Sequence, residues 1–448
     1  MISYSIIQKS QLEGALRLDA EYYQPEYLKI RENIKNIGFF NFGDIITAFG
    51  SGKNLPQTDN ASFIKFVRTQ NVRPIIIDDN GMSFTQQKNY PKLNYGDLLF
   101  VRVGEGVGNS SVVTKNFQDT TFSDNVIRIR IKNVNPFYVS VLLNSKIGSL
   151  LMEQIKKGSA RSLISRENLN SLRIPKIIQE QQIYFEDIVN QSEKLIIESE
   201  KIYSQAENLL LEELGIKDFE IDDDLSYIVN LSEIKSAHRA DAEYFQPKYE
   251  KIIFLIRANG GTMLGDLATM KKGIEPGSEV YQDEGKLFIR VSSLSKNGLE
   301  DKDQKYLSDE LYQKLKKNYE PKVGEILLTK DATPGIAYVV KEPIEGIVSS
   351  GILRLKLKNE KVENEYLALC LSSVIGQMQA ERDGGGSIIT HWRPEQIKNV
   401  LIPILPKPTQ QKIADLVQKS HEARKKAKEL LEEAKQKVEN AIENEINK

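Results

Sequence analysis

Four groups of residues in this sequence have the types that could do chemistry, and each lacks the spacing. Gly50-Ser51-Gly52-Lys53 has the glycines and lysine of a phosphate-cradling loop, in which backbone N–H groups and an ammonium hold a nucleotide. That loop needs a glycine five residues before Gly52 and a hydroxyl after the lysine, where Thr47 and Asn54 stand. Gly104, Gly106 and Gly108 follow a strand-like run, but without the G-x-G-x-x-G spacing of a dinucleotide site, and read as a turn. Asn135-Pro136-Phe137 begins like the tetrapeptide with which amino-methyltransferases hold a flipped base; it lacks the second proline, and Pro136 reads as a helix start. His238, His391 and His421 are far apart, and Cys370 is the single cysteine. That excludes an internal disulfide and a multi-cysteine zinc site and fits a reducing compartment. No G-x-S-x-G, H-E-x-x-H or paired-carboxylate spacing recurs, so the sequence reads as a binding protein without cofactor or metal.

What must position any binding residues is a duplicated scaffold. Residues 17–27, RLDAEYYQPEY, return as RADAEYFQPKY at 239–249. At the same shift Phe42-Gly43-Asp44-Ile45 meets Leu264-Gly265-Asp266-Leu267, and Phe66-Val67-Arg68 meets Phe288-Ile289-Arg290. Farther on, Tyr95-Gly96-Asp97-Leu98-Leu99 pairs with Val323-Gly324-Glu325-Ile326-Leu327, Gly158-Ser159 with Gly386-Ser387, and Ile174-Pro175 with Ile402-Pro403. The register change between these sets places a small net insertion between Arg290 and Gly324. So long a period in a chain of 448 residues means tandem domains rather than a solenoid.

Each half opens on a Gln-Pro step that starts or breaks a helix, then turns to short runs rich in Val, Ile and Phe. In the first half these are FIKFV (63–67), DLLFVRV (97–103) and VIRIRI (126–131); in the second, KLFIRV (286–291), EILLTK (325–330) and GILRLKL (351–357). One helix is expected from Pro136 to Ile155 and one from Glu365 to Ala380. Residues 179–214 hold no Gly or Pro, and Ile188, Leu195, Ile202 and Leu209 recur every seven residues, with Ser192, Ser199 and Ala206 between them. This is a heptad seam of large and small residues that ends at Gly215. Residues 408–446 repeat the pattern with Ser420, Ala427, Ala434 and Ala441 beside Leu416, Ala423 and Leu430, and offer a partner in the same chain. The alternative is two separate amphipathic helices, each packed on its own domain. The expected class is α+β, a tandem duplication joined by two long antiparallel coiled-coil helices. Its parts are domain one over 1–178, a long helix over 179–214, an acidic connector over 215–238, domain two over 239–407 and a second long helix over 408–448.

The formal net charge of −1 averages a basic first domain, at about +8, with a segment 179–238 at about −11. That pattern suits an anionic ligand on one domain and protein contacts at the connector, unless charge merely fluctuates along the chain. The start, MISYSIIQKS, has neither a basic nor an apolar leader region, and no run is long enough to span a membrane, so a soluble, cytoplasmic protein is expected.

DAEYYQP and DAEYFQP, GDLLFVR and GEILLTK, the Gly-Ser then Ile-Pro segments GSARSLISRENLNSLRIPKI and GGSIITHWRPEQIKNVLIPIL, and the Gln-Gln-led helix after each occur twice in one order. In this the chain resembles the DNA-specificity subunit of type I restriction-modification systems, over nearly its whole length. The resemblance implies two target recognition domains, each reading one half of a bipartite site in double-stranded DNA, with the helices as an antiparallel spacer. It implies a non-catalytic subunit whose partners are two modification (methyltransferase) subunits and restriction (nuclease/translocase) subunits. A change of spacer length would then change the gap in the site and not its halves. One departure is Arg102-Val103-Gly104-Glu105-Gly106, since Lys330-Asp331-Ala332-Thr333-Pro334 is nearer the usual form. A pseudo-symmetric scaffold that binds protein without DNA is the alternative function.

Within this reading, residues alike in both halves, Arg68 with Arg290 and Arg102 with Lys330, hold the fold, a phosphate or a partner. The divergent loops carry base readout: Lys53, Thr69, Gln70, Asn71 and Arg73 in the first half, and Ser292, Ser293, Lys296 and Asn297 in the second. Arg matches guanine, and Asn or Gln matches adenine, in the major groove. Arg161 and Trp392 follow the Gly-Ser steps and are further candidates, although a tryptophan more often packs than reads. Tyr22, Gln24, Tyr244 and Gln246 either dock the modification subunits or pack the long helices.

Overall fold

The computed structural model describes residues 5–9, 12, 18, 20–103, 106–156, 164–217, 226–301, 304–384 and 391–446. It divides into two compact units. Unit 1 is Met1–Ile196 with Lys425–Lys448, and unit 2 is Ile197–Arg424.

Unit 1 begins with a helix, Pro25–Ile37, whose first residue is the proline; its missing N–H would be unpaired there in any case. Five strands follow as one sheet in the order Ile46–Ser51, Val126–Ile131, Leu98–Val101, Ser110–Val112, Ile75–Ile76. A three-stranded sheet places Ile64–Val67 between Ser83–Thr85 and Thr121–Phe122, parallel to the latter. Strand Leu98–Val101 is buried on both faces, and its alternation decides which core each residue enters. Leu98 and Phe100 join the core shared with the helices, whereas Leu99 and Val101 face the core under the smaller sheet.

Unit 2 repeats this plan. Its four-stranded sheet runs Ala268–Lys272, Ile352–Leu357, Ile326–Thr329, Ala337–Val339, and Lys286–Ile289 lies between Lys305–Leu307 and the parallel strand Gly346–Val348. Ile326 and Leu328 enter the helix-lined core and Leu327 the smaller one, the same division as in unit 1. Asp309–Tyr319, an added helix, occupies the insertion.

The helix expected over Pro136–Ile155 is two, Pro136–Leu143 and Lys146–Lys156, and that over Glu365–Ala380 is also two, Asn364–Ser372 and Val374–Gly384. A serine and a glycine make each break. Ser145 Oγ donates to Leu142 O and accepts from the Gly148 N–H, and a Cβ at Gly148 would lie 1.9 Å from Leu142 O. Ser373 and Gly376 repeat the device, with a Cβ at Gly376 2.1 Å from Leu371 O.

The long helices are Gln179–Glu213 and Lys407–Ile446, and each gives one part to each unit. In unit 1 Tyr184 Oη donates to Glu433 and accepts from Lys437, and Phe185, Ile188 and Val189 share a core with Ala434, Val438 and Ile442. In unit 2 the Ser420 hydroxyl donates to Ser199 O at 2.8 Å, and Ile413 and Val417 share a core with Ala206, Leu210 and Leu214. The pairing is antiparallel. The small-residue series Ser192, Ser199, Ala206 and Ser420, Ala427, Ala434 is buried as its spacing predicts, while Ala441, the last of the series, is half-buried. Of the large residues expected on the seam of the first helix, Ile188 is buried and the other three are not. Val189, Tyr203 and Leu210 are buried, while Leu195, Ile202 and Leu209 are half-buried on the flank. Both series keep a period of seven, so periodicity alone could not choose between them. No helix among the described residues is long and apolar enough to cross a membrane.

Candidate nucleic-acid interface

A short backbone segment in each unit draws the candidate residues together. In unit 1 it is Phe122–Asn125: Phe122 O accepts from the Lys53 N–H at 3.1 Å, the Ser123 N–H donates to Val67 O at 2.9 Å, and Asn125 O accepts from the Arg102 N–H at 2.9 Å. Lys53, Arg68 and Arg102, far apart in sequence, therefore emerge beside one another. In unit 2 the segment is Val348–Gly351: Val348 O accepts from Ile274 N–H, Ser349 N–H donates to Ile289 O, and Gly351 O accepts from Lys330 N–H. Here the residues at the matching positions are Ile274, Arg290 and Lys330. The scaffold repeats while the side chains on it change.

This arrangement also explains the glycines around Lys53. A Cβ at Gly52 would lie 2.0 Å from Phe122 O, and one at Gly273 would lie 2.1 Å from Ser349 O. Gly52 is required by backbone approach, not by a phosphate.

After each of these arginines the chain makes one 3-10 turn, Thr69–Asn71 in unit 1 and Val291–Ser293 in unit 2. Asn71 is fully buried. Its Oδ1 accepts from the Arg68 N–H at 3.0 Å, and its Nδ2 donates to Asp78 O at 3.0 Å and Asn80 O at 3.2 Å. Ser293 is also buried and caps Arg290 in the same way: its Oγ accepts from the Arg290 N–H and donates to Arg290 O, both at 2.9 Å. Asn71 and Ser293 thus shape the turns, and their side chains are not available for the base readout expected of them. Replacing Asn71 by serine keeps the cap but leaves Asp78 O and Asn80 O without that donor. A loss of about 1–3 kcal/mol is expected in denaturant unfolding of unit 1.

Around these turns Arg68 Nη2 donates to Gly81 O at 2.6 Å, and Gln70 Nε2 reaches the same oxygen at 3.3 Å. Gln70, Lys53, Arg102 and Ser292 are exposed, and Thr69, Arg73, Arg290 and Asn297 are half-buried. Arg161, Gly158, Ser159, Gly386 and Ser387 lie outside the described residues, as do Gly104 and Glu105 beside Arg102. Gly106 and Gly108 form a turn.

Three candidates in unit 2 have other work. Lys330 is 8% exposed and its ammonium pairs with Asp331 at 2.6 Å, and Asp331 also bridges His391 at 2.9 Å. Lys296 turns to the long helices: its ammonium lies 4.4 Å from the centre of the Tyr203 ring, and its carbonyl is 3.0 Å from His421 Nε2. Burial holds the His421 imidazole down at about 4, so it is neutral at pH 7. Trp392 is 0% exposed; its backbone N–H donates to Lys330 O, and its indole N–H donates to Asp383 Oδ2 at 3.0 Å. It is a core residue and not a base contact, because the described surroundings leave its ring no exposed surface.

The helix-entry candidates also divide. Tyr22 is buried and accepts from Arg31 Nη1 at 2.9 Å, which makes it packing rather than docking surface. Tyr244 is half-buried, with the guanidiniums of Arg239 and Arg382 each 4.5 Å from its ring centre. Gln24 and Gln246 are half-buried where their helices begin. Asn125 was not singled out by sequence reasoning; it is exposed at the tip that carries Arg102. The signal was the alignment of Phe122-Ser123-Asp124-Asn125 with Val348-Ser349-Ser350-Gly351, which only the strand pairing makes secure. Among the described residues no group of three or more His, Cys, Asp or Glu could hold a metal.

The chain is thus two copies of one α+β scaffold that carry different side chains at matching positions, each copy holding part of both long helices. Residues 262–438, most of the second copy and part of its long helix, match the family described as the type I restriction modification DNA specificity domain. No curated protein matches the chain. It is similar to the solved type I restriction-modification S subunit from M. genitalium, at 11% identity over 91% of this chain and 96% of that chain, with a TM-score of 0.41. It is also similar to a structure reported for complex assembly and conformational transition of the type I R-M system (13% identity, 91% and 97% covered, TM-score 0.29). A third is the HsdS subunit from Thermoanaerobacter tengcongensis (14% identity, 91% and 96% covered, TM-score 0.28).

Proposed function

We propose that each unit reads one half of a bipartite site in double-stranded DNA, and that the chain is a non-catalytic, cytoplasmic subunit docking two modification subunits and, through the assembly, restriction subunits. The observation that supports this reading is the repeated backbone segment that brings Lys53, Arg68 and Arg102 together in one unit and holds Ile274, Arg290 and Lys330 at the matching positions of the other. A repeated scaffold with unlike side chains suits two domains that read different bases in the same way. In unit 1 the exposed Lys53, Gln70 and Arg102 supply phosphate and base contacts; in unit 2 the exposed Ser292 takes part. Gln24, Tyr244 and Gln246 lie where a modification subunit could dock.

The test is to co-express the chain with its modification subunit and map adenine methylation across the host genome. A bipartite motif is expected, and exchange of residues 69–73 should replace one half of it while the other half persists. A stable complex that methylates no motif would count against the reading.

A further inference from the structure

The recognition turn of unit 1 is held by more than its own hydrogen bonds. The segment 78–81 that accepts from Asn71, Arg68 and Gln70 also carries Asp79, and Asp79 Oδ2 pairs with the Lys65 ammonium at 2.8 Å. That ammonium reaches Asn116 Oδ1 at 3.4 Å and lies 4.8 Å from the centre of the Phe117 ring. Two residues earlier, the Thr114 hydroxyl donates to Glu193 on the first long helix. Burial raises the Glu193 carboxyl above its ordinary value, the Thr114 hydroxyl and the Lys65 charge oppose this, and Asp79 adds to it. Lys65, Asp79 and Glu193 thus share one electrostatic neighbourhood, although they come from a strand, a loop and a helix.

The side chains of Lys65 and Asp79 are 25% and 31% exposed. Such a partly shielded pair, with an added amide and ring contact, constrains geometry more than an isolated surface pair does. Among the described residues unit 2 lacks this set at the matching positions, where Leu287 stands for Lys65 and His421 for Glu193. The structure assigns Lys65 as a positioning residue for half-site recognition by unit 1. It ties segment 78–81, and through it the Arg68–Asn71 turn, to the first long helix. The inference rests on the function proposed above.

Its test uses the full chain in complex with its modification subunit, and duplexes carrying single base changes in either half of the site. Lys65→Met should lower discrimination in one half by about tenfold, the size of coupling found within one network, and leave the other half unchanged. Lys65→Arg should restore most of it. Amide hydrogen exchange at Asp78 and Met82, whose N–H groups donate to Asn71 O and Asp79 O, should quicken in Lys65→Met. The slope of affinity against salt should not change.

A uniform loss of affinity for all sequences, with that slope reduced by about one, would make Lys65 a phosphate contact and overturn the inference. Unaltered discrimination, or an equal loss in both halves, would overturn it too. Either result with an active wild type leaves the proposed function standing, whereas a wild type without sequence-specific methylation removes both.

Discussion

Trp392→Ala should lower the unfolding free energy of unit 2 by about 3–5 kcal/mol, the range for removing a buried aromatic and leaving its cavity. Two local consequences add to the loss of contact. The Asp383 carboxyl, already pushed up by burial, loses the indole N–H as donor, and the strand end at Lys330 loses the rigid neighbour whose N–H it accepts. Trp392→Phe separates these effects, because it fills most of the space but cannot donate to Asp383; a loss of about 1–3 kcal/mol is expected. Calorimetry on the purified chain reads both, as a transition that moves down for unit 2 while that of unit 1 stays. With Trp392→Phe the methylated motif should be unchanged at temperatures where unit 2 is folded. A change of base preference without a change of stability would return Trp392 to the interface.

The second large effect concerns the ion pair beneath the other face of the same sheet. Arg354 Nε and Nη2 donate to the two Glu325 oxygens at 2.8 and 3.0 Å, and Nη1 donates to Asn318 O at 2.6 Å. The two side chains are 6% and 10% exposed. Removing one partner strands a buried charge, so Glu325→Ala should cost about 3–5 kcal/mol. Glu325→Leu combined with Arg354→Met should lose much less, since an apolar pair of similar volume avoids the desolvation of both ions. Urea unfolding of the two variants decides the matter, and a double variant as unstable as the single one would show that geometry rather than charge is at stake. In unit 1 Asp97 is buried still more completely, but Asp97→Ala would strand only Arg130, whose side chain is 38% exposed, so the corresponding change there should cost less.

Much of the scaffold could be read locally. VIRIRI forms the strand Val126–Ile131 as written, and the Gln-Pro steps open helices at Pro25 and Pro247. These rest on neighbours in the chain: alternation sets a strand, and a proline fixes its own φ. The duplication could be read for the same reason, because it needs only the letters. The helix breaks at Ser145 and Ser373 were missed because each depends on a carbonyl one turn back and on a glycine that lets the next helix close in.

The candidate site was less legible than the fold. Residue types pointed to Arg68, Gln70, Asn71, Lys296, Lys330 and Trp392 alike, yet the folded chain gives them different fates. Asn71 and Trp392 are interior, Lys330 is paired with Asp331, and Lys296 rests on Tyr203, nearly a hundred positions away. Whether a charge is free depends on partners that no local pattern reveals, and those partners arrive only when distant strands and helices meet. Order along the chain alone shows two copies of one α+β unit with two long helices. Which side chains stay exposed was settled only by folding, because burial and pairing are properties of contacts and not of order along the chain.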